Sequence, residues 1–388
     1  MNILLLSLLF LQSIKLSSGL IRLSEVTDKG TLVLAVEIGA NLFLSSSDDA
    51  PLLQNIQIIN KDTTKSALDL KNLGINKDGS RIGWEAIGLI ILNSTNTISD
   101  AQNMTGFLYF TTLTQAQDPN FLVYSVDQRR NISSDRDDLT LVFLNQDLKM
   151  QNSQLYVPEM SSRVSGLETS ATSSVSIYWN TPTENYKDPD SDDSSQQRIF
   201  SNPLQIGTVN YYFGNVEPMN IFNRVWYIRS SGKMKVQVEP KFEDPNGSAT
   251  TNATTTGLVM CSYAPENLKI NMISSSSSTA ASTGLVVLYN VINPVVFKMD
   301  GFDFVITNKS ELRNERDGTN EPVSSSFIEI SSDVSIAGRF AVQYFKIEGF
   351  TFPTLSTTPE TVATTKIATK SFEFLSFSVT ILILALNV

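Results

Sequence analysis

Hydrophobic and polar positions along this chain change with a period of two far more often than with a helical period. Candidate strands are Thr31–Ile38, Ile82–Leu92, Gly106–Leu113, Phe121–Val126 and Leu139–Leu144 in the first half. In the second half they are Val175–Trp179, Arg224–Ile228, Met234–Val238, Leu258–Tyr263, Leu268–Ile273, Leu285–Ile292, Val295–Ile306, Phe327–Ile330 and Arg339–Ile347. They are short, rich in β-branched and aromatic residues, and separated by Gly, Asn, Asp and Ser. No long window has helical periodicity, and only Ser66–Leu73 reads as a helical turn or two. Many short strands with turns between them predict an all-β chain, with two antiparallel β-sandwich (jelly-roll/CUB-like) domains.

One hairpin follows residue by residue. Asp300-Gly301 suits a two-residue turn whose central positions need φ > 0. That turn pairs Met299 with Phe302, Lys298 with Asp303, Phe297 with Phe304 and Val295 with Ile306, which puts the apolar residues on one face. Ser231-Gly232 predicts a second hairpin, pairing Tyr227 with Val236 and Val225 with Val238. The polar run Gln146–Ser162, followed by the Ser/Thr-rich Ser161–Ser176, suggests a boundary near residue 150. Both halves then close on an alternating strand, Leu139-x-Leu141-x-Phe143 and Phe340-x-Val342-x-Tyr344. The expected domains are 20–149 and 150–350, and the acidic loop Glu184–Gln197 is expected to be disordered.

The two ends depart from this pattern. Ile3–Leu11 is apolar and is followed by Ser17, Ser18 and Gly19, which fits a secretory leader cut before Leu20. Phe374–Val388 is uncharged, shorter than the ~20 residues of a spanning helix, and followed by no Lys or Arg. Small residues, a polar spacer and an apolar tail are the pattern of a glycolipid-anchor signal. Ala363, followed by Thr364 and Thr365, is the expected lipid attachment site, with Ser356 as a fallback and a short type I span as the alternative. Residues 351–366 form a Thr-rich stretch with Pro353 and Pro359, suited to an extended, O-glycosylated stalk, and 367–388 form the tail.

The composition adds exclusions. The chain has 388 residues and a net charge of −10, which argues against nucleic acid and anionic membrane as partners. It has no histidine, which removes Ser-His-Asp and Cys-His catalysis and the commonest zinc ligand. The single cysteine, Cys261, leaves no intrachain disulfide; its thiol is an inert core group, an interchain bridge or a reactive site. No Gly-rich phosphate loop is present. Asp78-Gly79-Ser80 and Asp317-Gly318-Thr319 have the wrong order for an aspartic-protease motif and read as tight turns. No catalytic residue and no cofactor is expected.

Six positions match Asn-x-Ser/Thr: Asn93, Asn103, Asn131, Asn246, Asn252 and Asn308. Behind a leader, they predict glycans on several of these sites. Asp188-x-Asp190-x-Asp192-Asp193 and Asp135, Asp137 and Asp138 are solvated acidic loops that could alternatively hold Ca²⁺, and metal binding stays open. Trp84, Trp179 and Trp226 lie in or beside strands; core packing is favoured over a carbohydrate platform.

The signal peptide, β-rich body, sequons, Ser/Thr stalk and apolar tail, together with the closing Gly338-Arg-Phe-Ala-Val-Gln-Tyr-Phe, resemble the CUB-like surface glycoproteins of nematodes. Phe340 and Tyr344 match the F-x-x-x-Y of the last CUB strand, and the paired cysteines of CUB domains are absent. The resemblance implies surface display, linked to defence or stress responses, rather than catalysis. The expectation is a non-enzymatic extracellular glycoprotein for adhesion, recognition or protection. It would sit on the outer leaflet of the plasma membrane through a lipid anchor and meet an extracellular protein or glycan. Alternatives are a carbohydrate- or protein-binding receptor module and, further off, a secreted glycosidase-like enzyme.

Overall fold

The structure, a computed structural model, describes residues 14–16, 19–148, 160–188, 198–206, 209–250, 252, 254–261, 268–273, 281–292, 295–299, 302–306, 323–324, 326–332 and 339–348. Among these, short strands dominate and are mostly antiparallel; the five helices are of seven residues or fewer. The expected helical turn is Ala67–Lys71. Ser66 caps it by accepting from the Asp69 amide, while the Asp69 carboxylate accepts from the Ser66 amide.

The sheets come in pairs along the chain. The first pair has one sheet ordered Ile14–Leu16, Thr31–Val36, Leu89–Ser94, Ile56–Asn60, Thr63–Ser66. Its partner sheet runs Gly19–Arg22, Phe107–Phe110, Asn41–Ser45, Trp84–Glu85. Leu34, Ile58 and Ile90 from one sheet meet Leu42, Leu44, Leu108 and Phe110 from the other in a closed apolar core. The second pair has a sheet ordered Phe121–Val126, Leu139–Asn145, Val225–Ser231, Ser174–Trp179, Arg198–Asn202. Opposite it lie Arg130–Ser134, Met234–Glu239, Ser162–Thr169 and Met219–Ile221, and Leu141, Phe143, Trp226 and Ile228 pack on Val164, Val236 and Val238. A third pair spans Ala249 to Glu348.

The first and second pairs are stacked back to back. In Phe107–Phe110, Leu108 and Phe110 face the first core, while Phe107 and Tyr109 face the second pair. Leu139–Asn145 and Val225–Ser231 split in the same way: Val142, Leu144, Val225 and Tyr227 turn toward Phe43, Phe107 and Tyr109. Strands covered on both faces read as unbroken apolar runs, which is why Phe-Leu-Tyr-Phe and Leu-Thr-Leu-Val-Phe-Leu hardly alternate. Two back-to-back sandwiches thus make four layers, with an apolar interface between the middle two.

Several expectations change. Leu139–Asn145 pairs with Val225–Ser231, so chain on both sides of residue 150 builds one sheet, and the expected seam falls inside a β body. Ser162–Thr169, within the Ser/Thr-rich stretch expected to mark the boundary, is a strand with Val164 and Leu167 buried; a bulge at Gly166 breaks the alternation that would have revealed it. Residues 231–232 form no hairpin. Val225–Ser231 already has Leu139–Asn145 and Ser174–Trp179 on its two edges, so the chain crosses to the opposite sheet. Gly232 makes that crossing at φ 82°, where a Cβ would lie 2.7 Å from the Ser173 hydroxyl. Leu139–Asn145 is buried throughout rather than amphipathic. Arg339–Glu348 lies between Thr254–Cys261 and Ala281–Ile292. The hairpin across residues 300–301 has the expected register, from Val295 opposite Ile306 to Met299 opposite Phe302.

Candidate functional site

A cleft of about 270 Å³ opens where the first two β bodies meet. One wall comes from the strand holding Asn41 and Phe43, with Thr111 beside it; the other comes from Phe121, Leu122 and Val123. The turn 76–83 closes one end. Asp78 builds that turn by accepting from the Ser80 amide at 2.9 Å and the Ser80 hydroxyl at 2.6 Å. Asn76 donates to the same hydroxyl at 2.9 Å, and Gly79 adopts φ 84°. Asp78-Gly79-Ser80 is thus the tight turn expected from its residue order.

Gln115 braces the other end. Its side-chain oxygen accepts from the Thr112 amide at 3.0 Å, and its Nε2 donates to the carbonyls of Pro182 and Thr183 at 3.1 and 3.2 Å. This ties a one-turn helix of the first body to the second. Nearby, Asp118 accepts from the Tyr186 hydroxyl and the Lys187 ammonium, each at 2.7 Å. Partial burial pushes the Asp118 carboxyl up, but these hydrogen bonds outweigh it and hold the group below its usual value. The start of the acidic loop is therefore docked, with Tyr186 buried, rather than loose.

Arg81 is the cleft's cation. Its amide donates to Val123 at 2.7 Å and its guanidinium donates to the Lys71 carbonyl. Burial pushes Arg81 below an arginine's ordinary value; the Asp127 charge opposes this and Arg130 adds to it. Arg130 is committed elsewhere, to Asp127 at 2.6 Å and to the Ser125 and Gly79 carbonyls. Arg81 makes no ion pair among the described residues. Nothing in the sequence singled out these cleft residues, because they come from distant segments and share no motif.

The expected modification sites are spread over the bodies. Asn103, Asn131 and Asn246 are exposed. Asn93 and Asn252 are half-buried, and Asn252 offers its carbonyl to Lys346 Nζ at 2.8 Å and its amide to Glu217 at 3.5 Å. Asn308, Ala363, the apolar tail and Asp190–Asp193 lie outside the described residues. Trp226 is fully buried and stacked on Phe143 at 4.3 Å, Trp179 lies in the same core, and Trp84 packs against the first core under Lys65. The three form no common platform. Asp137 accepts from Ser231 at 3.0 Å, and no cluster of three metal-ligating side chains occurs among the described residues. Cys261 ends the strand Thr254–Cys261, opposite Phe340.

A family model described as a transmembrane glycoprotein matches residues 37–386. The chain belongs to this transmembrane glycoprotein family. The match begins within the first β body, covers the second and third, and reaches into the apolar C-terminal segment. Among the described residues no helix is long and apolar enough to cross a membrane. No curated protein matches the chain. Among solved structures, the CUB1-EGF-CUB2 domains of rat MASP-1 align at 10% identity over 57% of this chain and 99% of that one, with a TM-score of 0.18. A score that low carries no argument about this chain.

Proposed function

We propose that the protein is a non-enzymatic glycoprotein of the cell surface, carried on the extracellular face of the plasma membrane, with adhesion, recognition or protection as its role. Its leader would be cut before Leu20, and a glycolipid would replace the tail after Ala363. The observation that carries this reading is the distribution of exposed acceptors. Asn103 lies on the first β body, Asn131 on an edge strand of the second and Asn246 at the entry to the third. A chain of a glycoprotein family thus presents a sequon to solvent on each body. The leader cut is compatible with the fold, since Leu20, Ile21 and Arg22 pair with Tyr109, Leu108 and Phe107 and stay behind. It removes Ile14–Leu16 from the edge of Thr31–Val36. The resemblance of the closing strand to CUB jelly rolls supports surface display and names no ligand.

The cleft favours one variant of this role, a binding module for an extracellular glycan or protein. Its lining of amide side chains, two phenyl rings and one arginine suits recognition. Glycopeptide mapping of protein labelled on intact cells tests the proposal. Glycans at Asn103, Asn131 and Asn246 with an N-terminus at Leu20 support it. Unmodified asparagines on a chain still carrying residues 1–19 overturn it.

A further inference from the structure

We propose that the cleft between the first two β bodies binds a sugar residue bearing a carboxylate, with Arg81 as the group that reads the charge. The proposal rests on the reading of the chain as an extracellular recognition module and deepens it.

Charge is the first argument. The chain is acidic, with a net charge of −10, so an acidic ligand needs a local cation to draw it in. The neighbouring cations are claimed: Arg130 by Asp127 at 2.6 Å and Lys187 by Asp118 at 2.7 Å. Arg81 is half-buried, lines the cleft and has no carboxylate partner among the described residues. One of the five donors of a guanidinium goes to the Lys71 carbonyl. A planar fork of N–H groups in a partly dry site is matched to a carboxylate, which it can engage with two parallel hydrogen bonds.

The lining is the second argument. A volume of about 270 Å³ holds one sugar ring with its substituents, but not a peptide of several residues. Half-buried Asn41 and exposed Asn76 supply amide groups, the buried hydroxyls of Ser80 and Thr111 hold the walls through bonds of their own, and Phe43 and Phe121 supply apolar surface. A sugar ring is met by that mixture: side-chain amides beside a guanidinium for its polar groups and an apolar surface for its C–H groups.

Rigidity is the third. Phe43 and Phe121 belong to the apolar interface that joins the two bodies, and Gln115 bridges them by hydrogen bonds. Walls fixed in this way lose little entropy when a small ligand binds.

The test uses the whole glycoprotein, purified in detergent and captured on a sensor surface. The probes are the methyl glycosides of N-acetylneuraminic acid and glucuronic acid, their methyl esters, methyl galactoside, and an N-acetylated dipeptide with a free carboxylate. The expected result is saturable binding of at least one acidic glycoside, at least tenfold weaker for its ester, and none for methyl galactoside. Arg81→Gln should abolish binding. Because Arg81 also holds the 71–81 segment, Asn41→Asp provides the second variant. It sets a negative charge in the cleft and keeps the Asn41 backbone bond to the Thr111 hydroxyl, 2.8 Å long. It too should abolish binding, with an unchanged melting curve. Equal binding of acid and ester, unchanged binding in Asn41→Asp, or binding of the dipeptide in place of the sugars would overturn the proposal. Protein that reaches the cell surface but binds no acidic glycoside fails only this inference; protein that never reaches the surface fails the underlying reading.

Discussion

The second β body has a polar node at its centre, and breaking it should be costly. Asn145, Ser162 and Trp226 are each 0% exposed. The Asn145 side-chain oxygen accepts from the Ser162 hydroxyl and from Trp226 Nε1 at 3.2 Å, and Trp226 Nε1 also donates to the Ser162 hydroxyl at 3.1 Å. Asn145 Nδ2 donates to the Asn223 carbonyl at 2.7 Å. Asn145→Leu keeps the branching of the side chain with two bulkier methyl groups and removes every bond of the Asn145 side chain, while the bond from Trp226 to Ser162 stays. It leaves the Ser162 hydroxyl and the Asn223 carbonyl without their partner and takes one of two acceptors from Trp226. At about 1–3 kcal/mol for each buried group left unpaired, the expected loss is roughly 3–5 kcal/mol. With a urea slope of about 3 kcal/mol/M for a body of this size, the unfolding midpoint should fall by roughly 1–1.7 M. Intrinsic fluorescence follows it, since Trp226 sits in the node. Ser162→Ala should cost about 1–2 kcal/mol, and the double variant less than the sum, because the two share bonds. A midpoint for Asn145→Leu within 0.2 M of the parent (about 0.6 kcal/mol on that slope) would refute the reasoning.

The other predictions concern the interface, a turn and pH. Tyr109 and Tyr227 bury their hydroxyls in the interface with no protein partner, and burial pushes both phenols far up; Tyr109→Phe with Tyr227→Phe should be neutral or stabilise by about 1–2 kcal/mol, measured by calorimetry, and a lowered melting temperature would contradict a dry interface. Gly232→Ala puts a Cβ 2.7 Å from the Ser173 hydroxyl at φ 82° and should destabilise by more than the ~1 kcal/mol of a permissive site, whereas Gly247→Ala, also left-handed but with open space around it, should cost less. Asp118 is held below its ordinary value, so its contribution is complete above the unfolded value near pH 4 and fades as pH falls through the lower folded value. Asp118→Asn should therefore lose stability at neutral pH and flatten the stability profile below about pH 4, and an unchanged profile would count against the Tyr186–Asp118–Lys187 contact. Asn252 should carry less glycan than Asn103, Asn131 and Asn246, because it is half-buried and its side-chain nitrogen, the atom a glycan would join, already contacts Glu217; full occupancy by mass spectrometry would contradict this.

What could be read from the chain depended on whether the deciding physics was local. The hairpin across 300–301 needs only a turn dipeptide and matching alternation, and both lie within a dozen residues. The helix at Ala67–Lys71 likewise follows from its own Ser66–Asp69 cap. Ser231-Gly232 carries a comparable turn signal and goes elsewhere, because the edges of its first strand are taken by segments from Leu139 and Ser174. Arg130–Ser134 escaped notice because Ile132 is its one buried side chain, and Ser162–Thr169 because the bulge at Gly166 breaks its alternation. The back-to-back stacking left a trace, the double-sided apolar runs at 107–110 and 139–144, but such runs do not say which sheets cover them. The cleft left none: Asn41, Arg81, Thr111 and Phe121 are ordinary residues until the two bodies bring them together.

Treatment of intact expressing cells with phosphatidylinositol-specific phospholipase C tests the central claim most directly, because it asks at once whether the ectodomain is outside and what holds it there. The account predicts release of a glycosylated chain into the medium, starting at Leu20 and ending at Ala363. Retention on the cells, with Phe374–Val388 still present by mass spectrometry, would contradict the lipid anchor and make the tail itself the membrane attachment.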